Sequence, residues 1–380
     1  MEYSLRNARV VTRGDIFSGS VQVQAGLIAA VDQQQRGSVA RRGIDCEGDL
    51  LLPGLIELHT DNLEKNIQPR PGVIWPSMLA AAVAHDSQVA GAGITTVFDA
   101  IAVGGWRANS LRTQILADSL AAIDQGNRRG FFRAEHLIHL RCELADERLE
   151  ELLDRHGSNA GVRLLSLMDH TPGQRQWSDI SKWRLYHREK KWTDEEADAI
   201  VRDLVDRQQR YAICNRRLVV ALARERQLVL ASHDDTTIED CIGAAEDGVA
   251  IAEFPTTLSA ARAAHQYGMA VVMGAPNAVR GESHSGNVPT DDVAAAGLLD
   301  GLSSDYVPAS LLHAAFLLAD RCDLPLSETI AMVTVNNAEM AGLTDRGEIS
   351  VGKRADLVRV SVIDSVPVVR QVWRQGHQVC

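Results

Sequence analysis

Short apolar runs alternate eight times with longer segments through the middle of this chain, and this alternation restricts the fold more than any other feature. The runs are 51–58, 94–100, 136–143, 162–169, 228–233, 249–254, 270–274 and 301–305, and helical patterns between them include 77–92, 110–124, 257–267 and 308–320. Strands that alternate with helices pair in parallel, and eight repeats favour a closed (β/α)₈ TIM-like barrel, an α/β fold, over an open doubly wound sheet. The G-x-G-x-x-G signature of dinucleotide-binding sheets is absent after the first strand.

Both ends of the chain are rich in strand-forming residues and turns and show no helical period. Chain termini often lie close together in space. We therefore expect residues 1–50 and 346–380 to form one small β-sandwich beside a hydrolase-like barrel of residues 51–345. Two unrelated edge hairpins are the alternative interpretation.

The segment 174–215 is too long for an ordinary loop between a strand and a helix. It combines many charges with the aromatic residues Trp177, Trp183, Tyr186 and Trp192. We expect a helical insertion here that lies over the mouth of the barrel, where loops commonly carry functional residues.

Potential metal ligands stand where the predicted strands end. His59 and Asp61 end the first strand and lie two residues apart, hence on one face. Four later strands end in Glu143, His170, His233 and Asp305, and His139 is a spare candidate. The carboxyl ends of barrel strands form the catalytic face. Three imidazoles and three carboxylates there predict two divalent metal ions with a bridging carboxylate, zinc first, and manganese, iron or nickel as alternatives.

A second group of residues is basic and glycine-rich. The loop 276–287 contains Arg280, His284 and Ser285, and Arg175 follows His170 closely. Lys65 follows the first strand and Arg141 stands beside Glu143. Arginine side chains and backbone amides opened by glycine suit phosphate oxygens. These residues are predicted to bind a phosphorylated substrate, and solvated loops with incidental charge are the alternative.

Composition excludes several classes of partner. A formal net charge of −11 disfavours non-specific binding of nucleic acid. No apolar stretch approaches the roughly 18–20 residues that span a bilayer, and the beginning of the chain lacks the pattern of a secretory signal. Six scattered cysteines without a C-x-x-C pair suit the reducing cytoplasm. A monomer and a homo-oligomer both remain open.

The run LLPGLIELHTD, the β-rich ends and the closing GKRADLV resemble the amidohydrolase superfamily, whose members join a metal-bearing barrel to a β-sandwich. More narrowly, HTDNLEKNIQPRP, HLRCEL, SLMDHTPGQRQ, ASHDD and IAEFPTT resemble its diphosphatase subfamily of the carbon–phosphorus lyase pathway, almost from end to end. Two residues depart from the wider superfamily. Asp61 replaces the second histidine of H-x-H, and Glu143 stands in for the carboxylated lysine.

The resemblance implies metal-dependent hydrolysis of a small phosphorylated sugar, α-D-ribose 1-methylphosphonate 5-triphosphate, to the 5-phosphate and pyrophosphate. It implies that His59 and Asp61 hold one metal and that His170 and His233 hold the other. Glu143 would bridge them, and Asp305 would bind a metal and take the proton from the attacking water. A cyclic-amide (C–N) hydrolase and a non-catalytic pathway subunit are the alternatives.

The superfamily places its ligands after barrel strands one, four, five, six and eight, whereas the ligands predicted here follow strands one, three, four, five and eight. We therefore expect an additional short strand within 101–132, and two of the predicted runs to belong to one strand.

Overall fold

Strands and helices alternate through the middle of the chain, and strands alone occupy its two ends. The structure, a computed structural model, describes residues 2–33, 43–105, 111–283 and 286–380. Its strands are β1 (Glu2–Val11), β2 (Ile16–Gln24), β3 (Leu27–Asp32), β4 (Gly43–Asp45), β5 (Leu50–Pro53), β6 (Leu55–Thr60), β7 (Ile94–Val103), β8 (Glu135–Glu143), β9 (Val162–Met168), β10 (Val229–His233), β11 (Ile251–Glu253), β12 (Ala270–Gly274), β13 (Gly301–Ser303), β14 (Leu357–Ile363), β15 (Val366–Arg374) and β16 (His377–Gln378). Its α-helices are α1 (Asn62–Ile67), α2 (Met78–Gly91), α3 (Leu111–Arg129), α4 (Leu149–His156), α5 (Ile180–Tyr186), α6 (Asp194–Arg226), α7 (Ile238–Asp247), α8 (Leu258–Gln266), α9 (Ala275–Arg280), α10 (Thr290–Ala295), α11 (Ser310–Arg321), α12 (Leu326–Ala331) and α13 (Val335–Met340).

Strands β6 to β13 form a nearly closed parallel barrel in which each strand pairs with the next one along the chain. The first and last strands meet just beyond their ends, where the Asp61 amide donates to the Asp305 carbonyl at 2.8 Å. These strands are buried almost throughout, which is typical of a parallel sheet with both faces covered. The predicted eight-stranded barrel is confirmed.

Two predicted details of the strands are wrong. The run 51–58 is two strands, because Gly54 separates β5, which joins the sheet of the chain ends, from β6. A Cβ at Gly54 would lie 2.2 Å from Thr95 Oγ1, so only glycine lets the chain pass between the two sheets here. The described part of 101–132 holds only the end of β7 and helix α3, and each of the eight predicted runs supplies its own barrel strand. The ligand-bearing strands are therefore the first, third, fourth, fifth and eighth.

The two chain ends share one mixed sheet, in the order β16-β15-β14-β5-β1-β2-β3 with β4 beside β1. The N-terminal and C-terminal segments also meet outside this strand order: the Tyr3 hydroxyl of β1 donates to the Gly376 carbonyl in the turn after β15 at 2.9 Å, and the Ile28 amide of β3 donates to the Lys353 carbonyl before β14 at 2.9 Å. Leu5, Val23, Leu357 and Trp373 belong to one buried apolar cluster of this sheet. A common β module built from both termini is thus confirmed.

The segment after β9 is helical. Short 3₁₀ turns at Arg175–Trp177 and Arg188–Lys190 flank α5, and α6 extends beyond the predicted segment to Arg226. Thr193 and Glu196 form a capping box at the start of α6, satisfying backbone amides that the helix leaves free. Trp177, Trp183 and Leu204 pack together in a small apolar cluster. None of the helices in the described parts of the chain is long and apolar enough to cross a membrane.

A buried network of histidines and carboxylates joins α2 to strands β7 and β8. Asp99 lies 2.6 Å from His85 Nε2 and 2.8 Å from His136 Nδ1, and His136 Nε2 lies 3.3 Å from Asp86. Because both nitrogens of His136 face carboxylates, the ring carries two protons and a positive charge. Burial alone would lower the pKa of His136, but Asp99 and Asp86 outweigh it and raise that pKa to about 9.

The stability of the fold should therefore depend on the charge of His136. Since folding raises its pKa from 6.5 to about 9, the stabilisation is complete below pH 6.5 and is lost as the pH rises through 9. The loss is on the order of 3 kcal/mol. Urea unfolding from about pH 6 to pH 10 should show the free energy of unfolding of His136→Asn declining less steeply than that of the wild type. The exposed His377→Asn is the control, and an unchanged slope in His136→Asn would contradict this role.

Candidate active site

A cavity of about 460 Å³ opens at the carboxyl end of the barrel, within the size range of small-molecule sites. All six predicted metal ligands line it: His59, Asp61, Glu143, His170, His233 and Asp305. They come from five strands, and parallel strands bring their carboxyl ends to one face. The helical segment after β9 also lines the cavity, through Trp177, Trp183, Tyr186, His187, Leu204 and Arg207.

His59 and Asp61 form one side of the site. His59 Nε2 lies 3.9 Å from Asp61 Oδ1. Asp61 also accepts a hydrogen bond from Arg141 at 2.5 Å and lies 3.5 Å from Arg112. Burial alone would raise the pKa of Asp61, but Arg141 and Arg112 outweigh it and hold that pKa well below its usual range. Asp61 is therefore a carboxylate at neutral pH and is available to bind a cation.

Glu143, His170 and His233 form the second side of the site, together with Asp234, which is not among the ligands predicted from the sequence. Glu143 Oε2 lies 2.6 Å from His170 Nδ1, and His233 Nδ1 lies 2.8 Å from Asp234 Oδ2. A metal ion could be held here, because the ligand atoms offered by His170, His233 and Asp234 all lie within 4.8 Å of one another. Asp234 could have been recognised from the ASHDD motif, where it directly follows His233.

Asp305 lines the same cavity, just beyond the last barrel strand. Its carbonyl accepts from the Asp61 amide and from Thr60 Oγ1 at 2.7 Å. Its φ of +50° lies in the left-handed region, which aspartate tolerates better than most residues. Burial, and then the negative charge of Asp61, raise the pKa of the Asp305 carboxyl to about 7. A carboxylate with a raised pKa is suited to accept a proton near neutral pH.

The predicted phosphate-binding residues differ in their distance from the cavity, and Arg141 and Lys65 are the two that lie in it or beside it. Arg141 lines the cavity, 6% exposed, with its Nε lacking a hydrogen-bond partner among the described residues. Lys65 lies at the rim, with Nζ 4.3 Å from the ring centre of Tyr306, a cavity residue. His284 and Ser285 lie outside the described residues.

The structure does not bring Arg175 or Arg280 to the cavity wall. Arg175 is buried, pairs with Asp235 and donates to the His233 carbonyl at 2.8 Å. Arg280 is exposed and lies 3.4 Å from Glu282. The cavity instead contains Arg112 and Arg207, which the sequence analysis missed because both stand within helices and follow no strand.

The donor set suits divalent metal ions. Imidazole and carboxylate are the ligands that zinc and its first-row neighbours accept in proteins. His59 presents Nε2 on the side of Asp61, because its Nδ1 is engaged by Glu253 Oε1 at 3.1 Å. Further groups that could hold an ion by distance alone are His59–His139–Glu253 and His85–Asp99–His136. In the second of these, both histidines are already bonded to Asp99.

Comparison with known proteins finds relatives along the whole chain. The curated alpha-D-ribose 1-methylphosphonate 5-triphosphate diphosphatase of Escherichia coli (strain K12) is 45% identical over 380 residues, covering 99% of each chain. A model of the amidohydrolase family matches residues 207–380. Among solved structures, N-isopropylammelide isopropylaminohydrolase from Burkholderia multivorans matches with a TM-score of 0.66 and 18% identity, over 100% of this chain and 98% of that one. N-acetylglucosamine-6-phosphate deacetylase from Pasteurella multocida matches with a TM-score of 0.62 and 12% identity, over 100% and 99%.

These two solved structures are too distant in sequence to indicate more than the fold. The curated relative is different, because its similarity runs the whole length of the chain and includes every strand that ends in a cavity residue. With its barrel and its terminal β module, and by its similarity to this relative along the whole chain, the chain belongs to the amidohydrolase family.

Proposed function

We propose that the chain is a metal-dependent diphosphatase that hydrolyses α-D-ribose 1-methylphosphonate 5-triphosphate to the 5-phosphate and pyrophosphate in phosphonate catabolism. The observation that carries this proposal is that candidate metal ligands and arginines line the same cavity. The activity named for the full-length relative agrees with it. A cyclic amide is neutral and offers no negative charge for the cavity arginines to bind.

Two divalent ions, zinc in the first place, suit the two sides of the site. His59 and Asp61 would hold one ion, His170 and His233 the other, and Glu143 would bridge them. Asp234 is a further ligand candidate on the second side, since its carboxylate is part of the cluster with His170 and His233. Bound divalent ions would supply positive charge that activates water and offsets charge developing on phosphoryl oxygens.

The triphosphate requires cationic groups beside the metal ligands. Arg141 and Arg112 lie against Asp61 and line the cavity, and Arg207 enters from α6. Their guanidinium groups match phosphate oxygens in geometry and charge. We assign phosphate binding to these arginines rather than to Arg175 and Arg280, and Lys65 at the rim is a secondary contact.

Asp305 is the general base in this proposal. Its carboxylate lines the same cavity as the metal ligands and has a raised pKa. It would take a proton from the water that attacks phosphorus, and the pyrophosphate would leave toward the arginines. A leaving group whose negative charge meets donors already in place departs more readily.

The isotope pattern of the products tests the site of attack. Hydrolysis of the ribose 5-triphosphate in ¹⁸O-water should place the label in the sugar 5-phosphate and leave the released pyrophosphate unlabelled, because water attacks the α-phosphorus. Mass spectrometry of both products measures this. Label in pyrophosphate would indicate attack at the β-phosphorus, and orthophosphate as the first product would indicate attack at the γ-phosphorus. A protein that fails to cleave the triphosphate would overturn the proposed function itself.

Two broader inferences accompany this function. We infer that the mixed sheet of the chain ends closes on itself as a β-sandwich, supported by the bonds of Tyr3 and Ile28 to the C-terminal segment and by an apolar cluster common to both chain ends. We also infer a location in the reducing cytoplasm, which suits the six free cysteines of the chain.

A further inference from the structure

Strand β11 ends at Glu253, and the role of Glu253 and of the following Phe254 is explained neither by the metal ligands nor by the phosphate-binding residues. We propose that Glu253 is a positioning residue: its carboxylate fixes the ring orientation and the tautomer of His59. This inference rests on the metal site of the proposed function and adds to it a residue that holds a ligand without touching the ion.

The contact between Glu253 and His59 determines which nitrogen of His59 faces the cavity. Glu253 is 1% exposed, and its Oε1 lies 3.1 Å from His59 Nδ1. Because a carboxylate oxygen accepts a hydrogen bond, we assign the imidazole proton to Nδ1 and the lone pair to Nε2. Nε2 is the atom 3.9 Å from Asp61, the neighbouring ligand candidate. Glu253 thus leaves His59 ready to bind a metal through Nε2, as carboxylate partners of ligand histidines commonly do.

The second histidine near Glu253 does not compete for this carboxylate. His139 Nδ1 is 3.8 Å from Glu253 Oε1, which is beyond hydrogen-bonding distance. That nitrogen lies 3.0 Å from the Leu58 carbonyl, and His139 Nε2 lies 2.9 Å from Ser166 Oγ. Both nitrogens of His139 are therefore satisfied elsewhere. Within the described parts of the chain Glu253 Oε2 has no hydrogen-bond partner, so the hydrogen bond of this buried side chain goes to His59.

Phe254 supports the same arrangement from the next position. Its ring centre lies 5.2 Å from that of His59 and 5.2 Å from that of His233. Its φ of +55° is unfavourable for a bulky residue, and such strain persists where the surrounding structure requires it. The backbone at the end of β11 therefore directs the Glu253 carboxylate to His59, and it places the Phe254 ring against both His59 and His233.

Zinc affinity tests the role of Glu253 without requiring catalysis. The full-length protein is titrated with Zn²⁺ against a chelating dye. Glu253→Leu should weaken binding by about 10–100-fold, the usual cost of losing such a partner. Glu253→Gln should stay within about threefold of the wild type, because its amide oxygen can accept the same hydrogen bond. Ser166→Ala is the matched control: it removes a buried partner of His139 and should leave zinc affinity unchanged.

Two results would overturn the proposal. Zinc affinity of Glu253→Leu equal to that of the wild type would show that His59 needs no partner. A loss in Glu253→Gln as large as in Glu253→Leu would mean that the charge of Glu253, or direct ligation by it, is what matters.

If Glu253→Leu does not fold, the proposal is tested by measuring the tautomer of His59 in the wild-type protein. Two-bond ¹H–¹⁵N spectra of the zinc-loaded wild-type protein, assigned with His59→Gln, should show the proton on Nδ1. A proton on Nε2 would overturn the proposal. Failure of the wild type to cleave the ribose triphosphate would contradict the proposed function, while the zinc titration and the tautomer would still test Glu253.

Discussion

Asp305→Asn should lower kcat by about 10²–10⁴-fold, the range typical of a lost general base, while the fold and most of the bound metal are retained. Asn keeps the size of the side chain and tolerates the left-handed backbone that Asp305 adopts at φ +50°. The hydrogen bonds that close the barrel use the carbonyl of residue 305 and are unaffected. What the variant loses is a carboxylate that can accept a proton.

Steady-state kinetics, metal analysis and circular dichroism of the same preparation separate these effects. Asp364→Asn is a matched control, since Asp364 also has a positive φ, of 48°, but is exposed in the turn between β14 and β15. It should retain normal kcat. Turnover of Asp305→Asn close to that of the wild type would remove Asp305 from the role of base.

Arg141→Met should raise KM for the ribose 5-triphosphate by about 10–100-fold, because a charge-assisted hydrogen bond contributes roughly 1.5–3 kcal/mol. Arg141 is nine-tenths buried and lines the cavity, and its Nε lacks a partner among the described residues. Methionine fills much of the same space without the charge. The same variant should lose less affinity for a sugar 5-monophosphate used as an inhibitor, because that compound lacks the leaving phosphates that Arg141 would contact.

Arg280→Met is the control for this measurement. Arg280 is exposed and is not part of the cavity wall, so its removal should change KM by less than about twofold, as is usual for surface positions. Metal content must be compared as well, because Arg141 also bonds to Asp61. An unchanged KM in Arg141→Met, or a large rise in Arg280→Met, would reverse the assignment of the phosphate-binding arginines.

The sequence alone was sufficient for the barrel and for placing the candidate metal ligands at its carboxyl end. Short apolar runs that alternate with helical segments pair as parallel strands covered on both faces, so their number predicts the architecture. A histidine or carboxylate at the end of such a run is placed on the catalytic face by the strand itself. For this reason His59, Glu143, His170 and His233 could be predicted, and all four line the cavity.

Apart from Arg141, the arginines that line the cavity could not be predicted in the same way, and only the tertiary structure shows that they are Arg112 and Arg207. A long side chain reaches any of several partners, and its choice depends on which carboxylates fold beside it. Arg175 follows a ligand strand, yet it is buried against Asp235, whereas Arg112 lies in a helix and reaches the cavity. Glu253 was missed for a related reason: its sequence does not show that it faces His59, 194 residues earlier in the chain. The order of the strands determines which residues stand at the carboxyl end of the barrel. Which buried charges pair with one another is determined only when distant segments pack.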